Sequence, residues 1–296
     1  MGEVHRYILH NGQLIGNDTH TASVGQVGLL NGWGVFSTIR ILDGVMFAWE
    51  MHWERMCRDA ALMHVPMPRA AEELKEPLER LMEANGAGNA TLRVAVVRNK
   101  GGVFQAPHLA REFDVVAYTV DLQDWGSTAR LGVQMQGRHA ASPMSGVKIT
   151  SWSQNLTFLE MAKAKGYDEV VLLNERGEVS ECTSANLFVV RGMRVLTPPM
   201  TSGCLPGVTR RWLLERVSVP GVSVEEKTLR LDDLYDSDSM FMTSTTRELL
   251  RVDSVEGRKT GTEDQVRQRL HDEFRRLMGE YAAGERERRA IRAGER

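Results

Sequence analysis

Four separated segments hold residues whose types and spacing could do chemistry. In the first, FAWEMHWER, His52 and Arg55 stand three apart and so share one face of the helix this run predicts. An arginine on such a face can clamp a phosphate through two parallel N–H donors. The second, MSGVKITSW, sets Lys148 behind a Gly-Val entry and just ahead of a helix. A lysine presented from a strand end into a cleft is partly desolvated, which frees its amine to form a Schiff base. In the third, EVVLLNERGEVSECTSANLF, Glu181 precedes a run of small polar residues suited to backbone lying against a ligand. A carboxylate there could hold a proton on a ring nitrogen. The fourth, GCLPGVTR, runs directly into a helix. Gly207 permits close approach, the amides of Val208 and Thr209 are free at the helix start, and Thr209 adds a hydroxyl; together they form an anion site. Ser244, Thr245 and Thr246, at the end of a predicted strand, are a further hydroxyl and amide cluster. Taken singly, each segment also has an ordinary reading: a solvated basic helix edge, a snorkelling lysine, a hairpin glutamate, a common helix start.

The elements that must position these residues follow from periodicity and turn chemistry. Asn11-Gly12 and Asp43-Gly44 each sit between short apolar runs and predict two hairpins, His5–His10 with Gln13–Ile15 and Val35–Leu42 with Val45–Phe47. Helical spacing marks Glu50–His64 and Ala71–Ala84, with Pro77 a kink or a late start in the second. The β-branched runs Thr91–Val97 and Phe113–Val120 read as central strands of one sheet. From Asp121 the chain turns polar and small. The expectation is therefore a domain at 1–120, a linker at 121–130 and a larger domain at 131–296 that carries Lys148. Within the latter, strands are expected at Leu131–Met135, Glu169–Leu173, Ala185–Val190 and Ser239–Thr243, and helices at Gln154–Lys165, Val208–Val217 and Thr262–Ala282. The charge-dense tail after Gly284 reads as a solvated or frayed end. The class is α+β.

Composition narrows the function. Of 37 basic residues in 296, only seven are lysines, at 75, 100, 148, 163, 165, 227 and 259, so a nucleophilic lysine is easy to isolate. A formal net charge of −2 gives no global attraction to nucleic acid or an anionic membrane. Cys57, Cys182 and Cys204 are odd in number and widely spaced, which argues against a disulfide scaffold or a structural metal and for a reducing cytoplasm. No secretory h-region and no apolar run long enough to span a bilayer is evident.

In this order, the segments VFSTIRILDG, HWER, VKITSW, GYDEVVLLNERGEVSECTSANLFVV, LPGVTR and FMTSTTREL resemble the class IV family of pyridoxal-phosphate enzymes, from Asn11 to about Arg258. That family includes branched-chain and D-amino-acid aminotransferases, (R)-selective amine transaminases and aminodeoxychorismate lyases. The resemblance implies a two-domain fold of type IV with pyridoxal 5′-phosphate in the cleft between domains. It implies Lys148 as the Schiff-base lysine and proton carrier, Glu181 on the pyridine nitrogen, and Arg55 on the phosphate. Gly207, Val208, Thr209, Ser244 and Thr245 would complete the phosphate cage. Phe36, Thr38, Arg40, Arg93, Trp152 and Thr246 are the candidates for substrate contact, with Arg40 and Arg93 for a substrate carboxylate. No single subfamily fits: Thr38 agrees with the lyases, Trp152 with the (R)-selective enzymes, and Ser244-Thr245-Thr246 with the D-amino-acid enzymes. The expected activity is amino transfer between an amino acid or primary amine and a 2-oxo acid such as pyruvate or 2-oxoglutarate. The alternatives are a lyase releasing pyruvate and 4-aminobenzoate from aminodeoxychorismate and, more remotely, a non-catalytic cofactor-binding protein. A homodimer or an assembly of dimers is implied as well.

Overall fold

The computed structural model describes residues 2–23, 25–103 and 109–294. The chain divides into two compact units. The first holds the chain up to Gln123, Lys148–Trp152 and the chain from Met278 onward; the second holds Asp124–Val147 and Ser153–Leu277.

In the first unit, β1 (Val4–His10) and β2 (Gln13–Gly16) form the first hairpin, followed by the short α1 (Val27–Leu30), β3 (Gly34–Leu42), β4 (Val45–Met46), α2 (Trp49–Leu62), α3 (Ala71–Ala84), β5 (Ala90–Arg98) and β6 (Phe113–Val120). The strands pair antiparallel in the order β2-β1-β6-β5-β3-β4, with β6 and β5 central. Both hairpin turns take positive φ at their two central residues, 51° and 81° at Asn11-Gly12 and 49° and 76° at Asp43-Gly44, the primed geometry that matches strand twist. Strand alternation then sorts the faces. Val35, Ile39, Ile41, Leu92, Val94, Val96 and Ala117 pack with Met56 and Ala60 of α2 and Leu74, Leu78 and Leu81 of α3 into one core. Each valine, leucine, isoleucine or methionine among them contributes about 1.5–3 kcal/mol on removal from water. The other face, carrying Thr38, Arg40, Thr91, Arg93 and Tyr118, is only half-buried. Pro77 neither ends nor delays α3, which runs through it.

The second unit is built on a nine-stranded sheet. Its elements are β7 (Thr128–Gln134), α4 (Ser153–Ala164), β8 (Glu169–Leu173), β9 (Val179–Cys182), β10 (Asn186–Arg191), β11 (Arg194–Thr197), α5 (Val208–Glu215), β12 (Ser223–Glu226), α6 (Leu231–Tyr235), β13 (Ser239–Ser244), β14 (Glu248–Val255) and β15 (Arg258–Lys259). The strand order is β12-β11-β10-β13-β14-β7-β8-β9, with β15 on β14. The β11/β12, β14/β7 and β7/β8 pairs are parallel and the rest antiparallel. Every residue of β8 is buried, as are the first five of β10 and of β13, which is why these strands read as continuous apolar runs.

Three expectations change. The stretch 121–130 is not a linker throughout, because β7 already begins at Thr128. Lys148 groups with the first unit rather than with 131–296, because its segment pairs with the start of β3: Ile149 bridges Val35, and Thr150 N–H donates to Gly34 O at 2.9 Å. As far as Gly294 the tail is neither frayed nor merely solvated. The final helix, α7 (Gln265–Gly294), continues through it. There Arg289 donates to Gly44 O at 3.0 Å and pairs with Glu79 at 2.6 Å, and Arg286 meets Asp43 at 3.1 Å. Tyr281 donates to Glu50 at 2.7 Å and packs edge-on against Phe47. Charged side chains read as a solvated face in sequence because their docking partners lie some 200 residues away in the chain.

Candidate active site

In the first unit, Lys148 is held through its main chain. Its N–H donates to Asp59 Oδ2 at 3.0 Å, and its carbonyl accepts from Phe36 N–H at 3.1 Å. Its Nζ stands 4.6 Å from the centre of the Phe36 ring. The Arg93 guanidinium lies 3.8 Å from the same ring centre and 5.8 Å from that of Trp152, which meets Phe36 edge-on. Among the described residues no carboxylate pairs with Arg93, and burial lowers its pKa while Tyr118 opposes the shift. Phe36, Thr38 and Arg40 occupy alternate positions of β3, so they share its more open face; Thr38 lies opposite Arg93, and Arg93 opposite Tyr118. The structure thus brings Phe36, Arg93, Lys148 and Trp152 together.

Ser37 points to the opposite, helix-covered face. There α2 presents His52, Arg55 and Asp59, spaced three and four apart on one stripe, all buried. Arg55 Nη2 donates to Ser37 Oγ at 2.9 Å, and Ser37 Oγ lies 2.7 Å from His52 Nδ1. The same Nη2 stands 3.5 Å from Nδ1. A protonated Nδ1 would face that N–H donor, so Ser37 donates to Nδ1 and the ring proton sits on Nε2, which has no partner among the described residues. Burial, then the charges of Arg55 and Lys148, hold the His52 pKa well below its ordinary value.

The second unit holds the remaining candidates. Glu181, at the end of β9, receives Arg138 Nε at 3.2 Å, Leu205 N–H at 3.0 Å and Asn186 Nδ2 at 3.5 Å. Arg138 is itself braced by Asn155 Oδ1 at 3.1 Å. Asn186 also donates to Leu205 O at 2.9 Å, and its Oδ1 would lie 2.0 Å from a Cβ added at Gly207, so a larger residue ahead of α5 would have to displace the Asn186 side chain. Gly207 is the N-cap of α5 without a side-chain cap, which leaves the first-turn amides of Val208 and Thr209 to be met from outside. The Thr209 hydroxyl is buried and without a partner among the described residues. Ser244 Oγ accepts from Arg247 N–H at 3.1 Å, and Thr245 and Thr246 follow it in the half-buried turn between β13 and β14. Beneath them Arg247 reaches the fully buried Glu169 at 3.5 Å and stacks 3.7 Å over Trp125.

Sequence reasoning overlooked Ser37, Asp59 and Arg138; Asn186 stood in the small polar run after Glu181 without a role of its own. Asp59 had a signal, since it continues the helical stripe of His52 and Arg55. The other two are brought in by pairings between distant segments.

The chain matches the profile of the amino-transferase class IV family over residues 34–255, and it belongs to that family. It is 27% identical over 278 residues to a putative branched-chain-amino-acid aminotransferase of Methanocaldococcus jannaschii, covering 92% of this chain and 96% of that one. It is 29% identical over 259 residues to a D-alanine aminotransferase of Bacillus licheniformis, covering 86% and 90%. Among solved structures, the branched-chain amino acid aminotransferase of Escherichia coli superposes with a TM-score of 0.84 at 26% identity, covering 93% and 95%. The fold is therefore that of the type IV aminotransferases, α+β as expected. The protein is a transaminase acting on amino-donor and 2-oxo-acid substrates, with pyridoxal 5′-phosphate as its cofactor. Among the described residues no helix is long and apolar enough to cross a membrane.

The residues present fit that cofactor. The bare Gly207, the unfilled amides after it and the unpartnered Thr209 hydroxyl suit a phosphate, and a carboxylate braced by an arginine and a main-chain amide suits a protonated ring nitrogen.

Proposed function

We propose that Lys148 bears the cofactor and that the enzyme prefers amino donors carrying a carboxylate beside an apolar side chain, of the branched-chain or D-type, with pyruvate or 2-oxoglutarate as acceptor. The observation that carries this reading is the Lys148 main chain fixed at both its N–H and its carbonyl, with Nζ beside Phe36 and, on the same ring, an arginine with no carboxylate partner among the described residues.

When bound, the cofactor supplies an electron sink for the charge that develops at the donor's Cα. Lys148 Nζ accepts the proton leaving that carbon. Glu181, oriented by Arg138 and the Leu205 amide, holds a proton on the ring nitrogen. Arg55, oriented by Ser37, binds the phosphate with the amides of Val208 and Thr209, the Thr209 hydroxyl, Ser244 and Thr245. Arg93 receives the donor's carboxylate, with Thr38 and Arg40 on the same strand face, and Thr246 is a further substrate contact that the resemblance implies. Phe36 and Trp152 exclude water from the donor's side chain. A homodimer or an assembly of dimers in the cytoplasm completes the reading. Its support is the family resemblance, the exposed Leu29 and Leu30 of α1, and three cysteines that are all unpaired.

Initial rates with L-leucine, D-alanine and (R)-1-phenylethylamine, each with pyruvate or 2-oxoglutarate, test it. The expected result is turnover that requires an acceptor, and an Arg93→Ala variant that loses about tenfold or more on the amino acids, the weight of one charge-assisted hydrogen bond, while sparing the amine. Equal loss on all three donors would remove Arg93 from the carboxylate role. Pyruvate release from aminodeoxychorismate without an acceptor would favour the lyase.

A further inference from the structure

Lys148 enters from an irregular stretch. Between β7 and α4 the chain forms turns and bends over residues 135–152, with no helix or strand of its own. A lysine side chain has four rotatable bonds, so the place its amine can reach is set first by where its Cα is held. In a segment without a regular ladder that depends on individual main-chain hydrogen bonds.

The Lys148 N–H is taken by a side chain. It donates to the carboxylate of Asp59, 3.0 Å away on α2, a residue only 1% exposed. Asp59 stands one turn after Arg55 on the same stripe of the helix, about 6 Å further along its axis. Its second oxygen accepts from Arg58 Nε at 2.9 Å, so the buried carboxylate keeps a cationic partner and its Oδ2 faces the Lys148 amide. On the far side the Lys148 carbonyl is taken by Phe36 N–H, and the neighbouring Thr150 and Ile149 pair with β3. The strand pairing would survive loss of Asp59; the N-terminal tether of Lys148 would not.

We propose that Asp59 is a positioning residue for the reaction: by holding the Lys148 amide it ties the amine's reach to the helix that also carries Arg55. This rests on the reading that Lys148 bears the cofactor. Asp59 touches neither cofactor nor substrate in this scheme; it acts through the lysine's main chain.

The test uses holoenzyme with bound cofactor quantified, and reads the single-turnover rate with amino donor per bound cofactor. Asp59→Ala is expected to lower that rate about 10- to 100-fold, the scale of a displacement near 1 Å, with KM changed less than threefold, roughly, as positioning rather than binding is lost. Asp59→Asn, which keeps an acceptor oxygen of the same reach, is expected to recover to within about threefold of the parent by the same argument. Should Asp59→Ala not retain cofactor, Asp59→Glu displaces the same acceptor by one methylene and carries the comparison. A residue that only supports folding would lower Tm and leave the rate per cofactor intact; that result overturns the proposal. So does an Asn variant as slow as the Ala variant, since it would make charge, not amide acceptance, the active feature. Lys148→Ala run alongside separates the two readings. If that variant turned over like the parent, the assignment of Lys148 would fail; if it is inactive and Asp59→Ala is not slowed, only the positioning role fails.

Discussion

The side chains of Lys148 and of Glu181 stand in surroundings of opposite charge. Around the Lys148 side chain the first unit gathers cations, Arg55 and Arg93 besides the lysine, with aromatic faces, a hydroxyl and His52, while the carboxylate of Asp59 meets the lysine's main chain. Around Glu181 the second unit does the reverse, bracing one carboxylate with an arginine and a main-chain amide. A cofactor with an anionic phosphate and a basic ring nitrogen, turning over a substrate with its own carboxylate, needs both kinds of surroundings. The difference also teaches where rigidity comes from. Glu181 lies on β9, the edge strand of a large sheet, where it pairs opposite Leu172 of β8, and is oriented by neighbours in the same unit. Lys148 lies on a strip that is separated from its neighbours by about a hundred residues of chain and is fixed by individual hydrogen bonds, among them those of its own N–H, its carbonyl, Thr150 and Ser151.

Substitutions on the two sides should therefore separate. The largest effect is expected from Glu181→Gln, which keeps the shape but not the charge that holds the ring proton. The single-turnover rate should fall about a hundredfold or more with cofactor content nearly unchanged. A variant that lost cofactor and kept its rate would assign Glu181 to binding instead. Arg55→Gln should do the opposite. Losing a charge-assisted contact worth about 1.5–3 kcal/mol weakens cofactor retention roughly 10- to 100-fold, read from the cofactor dissociation constant, with a smaller change in rate once saturated.

The smallest effect is on pH-dependent stability and belongs to His52. In the unfolded chain this imidazole takes up a proton as pH falls below about 6.5. In the folded chain it stays neutral, so the unfolded state binds more protons and stability declines with acidification below that value. The slope is at most about 1.4 kcal/mol per pH unit for one proton. Denaturation midpoints at pH 7 and pH 5 should accordingly lie closer together in His52→Gln than in the parent. An unchanged gap would mean that the ring is charged in the fold.

Much of this was legible from sequence because it is local. His52 and Arg55 share a helical stripe, Gly207 to Thr209 opens a helix, and both primed turns announce their hairpins. The exact bounds of α3 followed from its apolar spacing even across Pro77. What stayed hidden depends on pairings that no local pattern encodes. Lys148 looks like part of the segment that follows it, yet its bridge to β3 spans more than a hundred residues and moves it to the other unit. β14 was missed because Arg251 and Asp253 interrupt its apolar run, although its alternate residues Leu250, Val252 and Ser254 are buried, as is Val255. The tail was misjudged for the reason that makes arginine hard to place from sequence: its stem and fork suit solvent and a specific carbonyl equally well.

The most direct test of the central claim is borohydride reduction of the cofactor-loaded enzyme followed by peptide mapping. Seven lysines compete for the label. The account predicts one modified peptide, carrying the phosphopyridoxyl group on Lys148, and no labelling there when amino donor is added first. A label on Lys163, Lys165 or any other lysine, with Lys148 untouched, would contradict it.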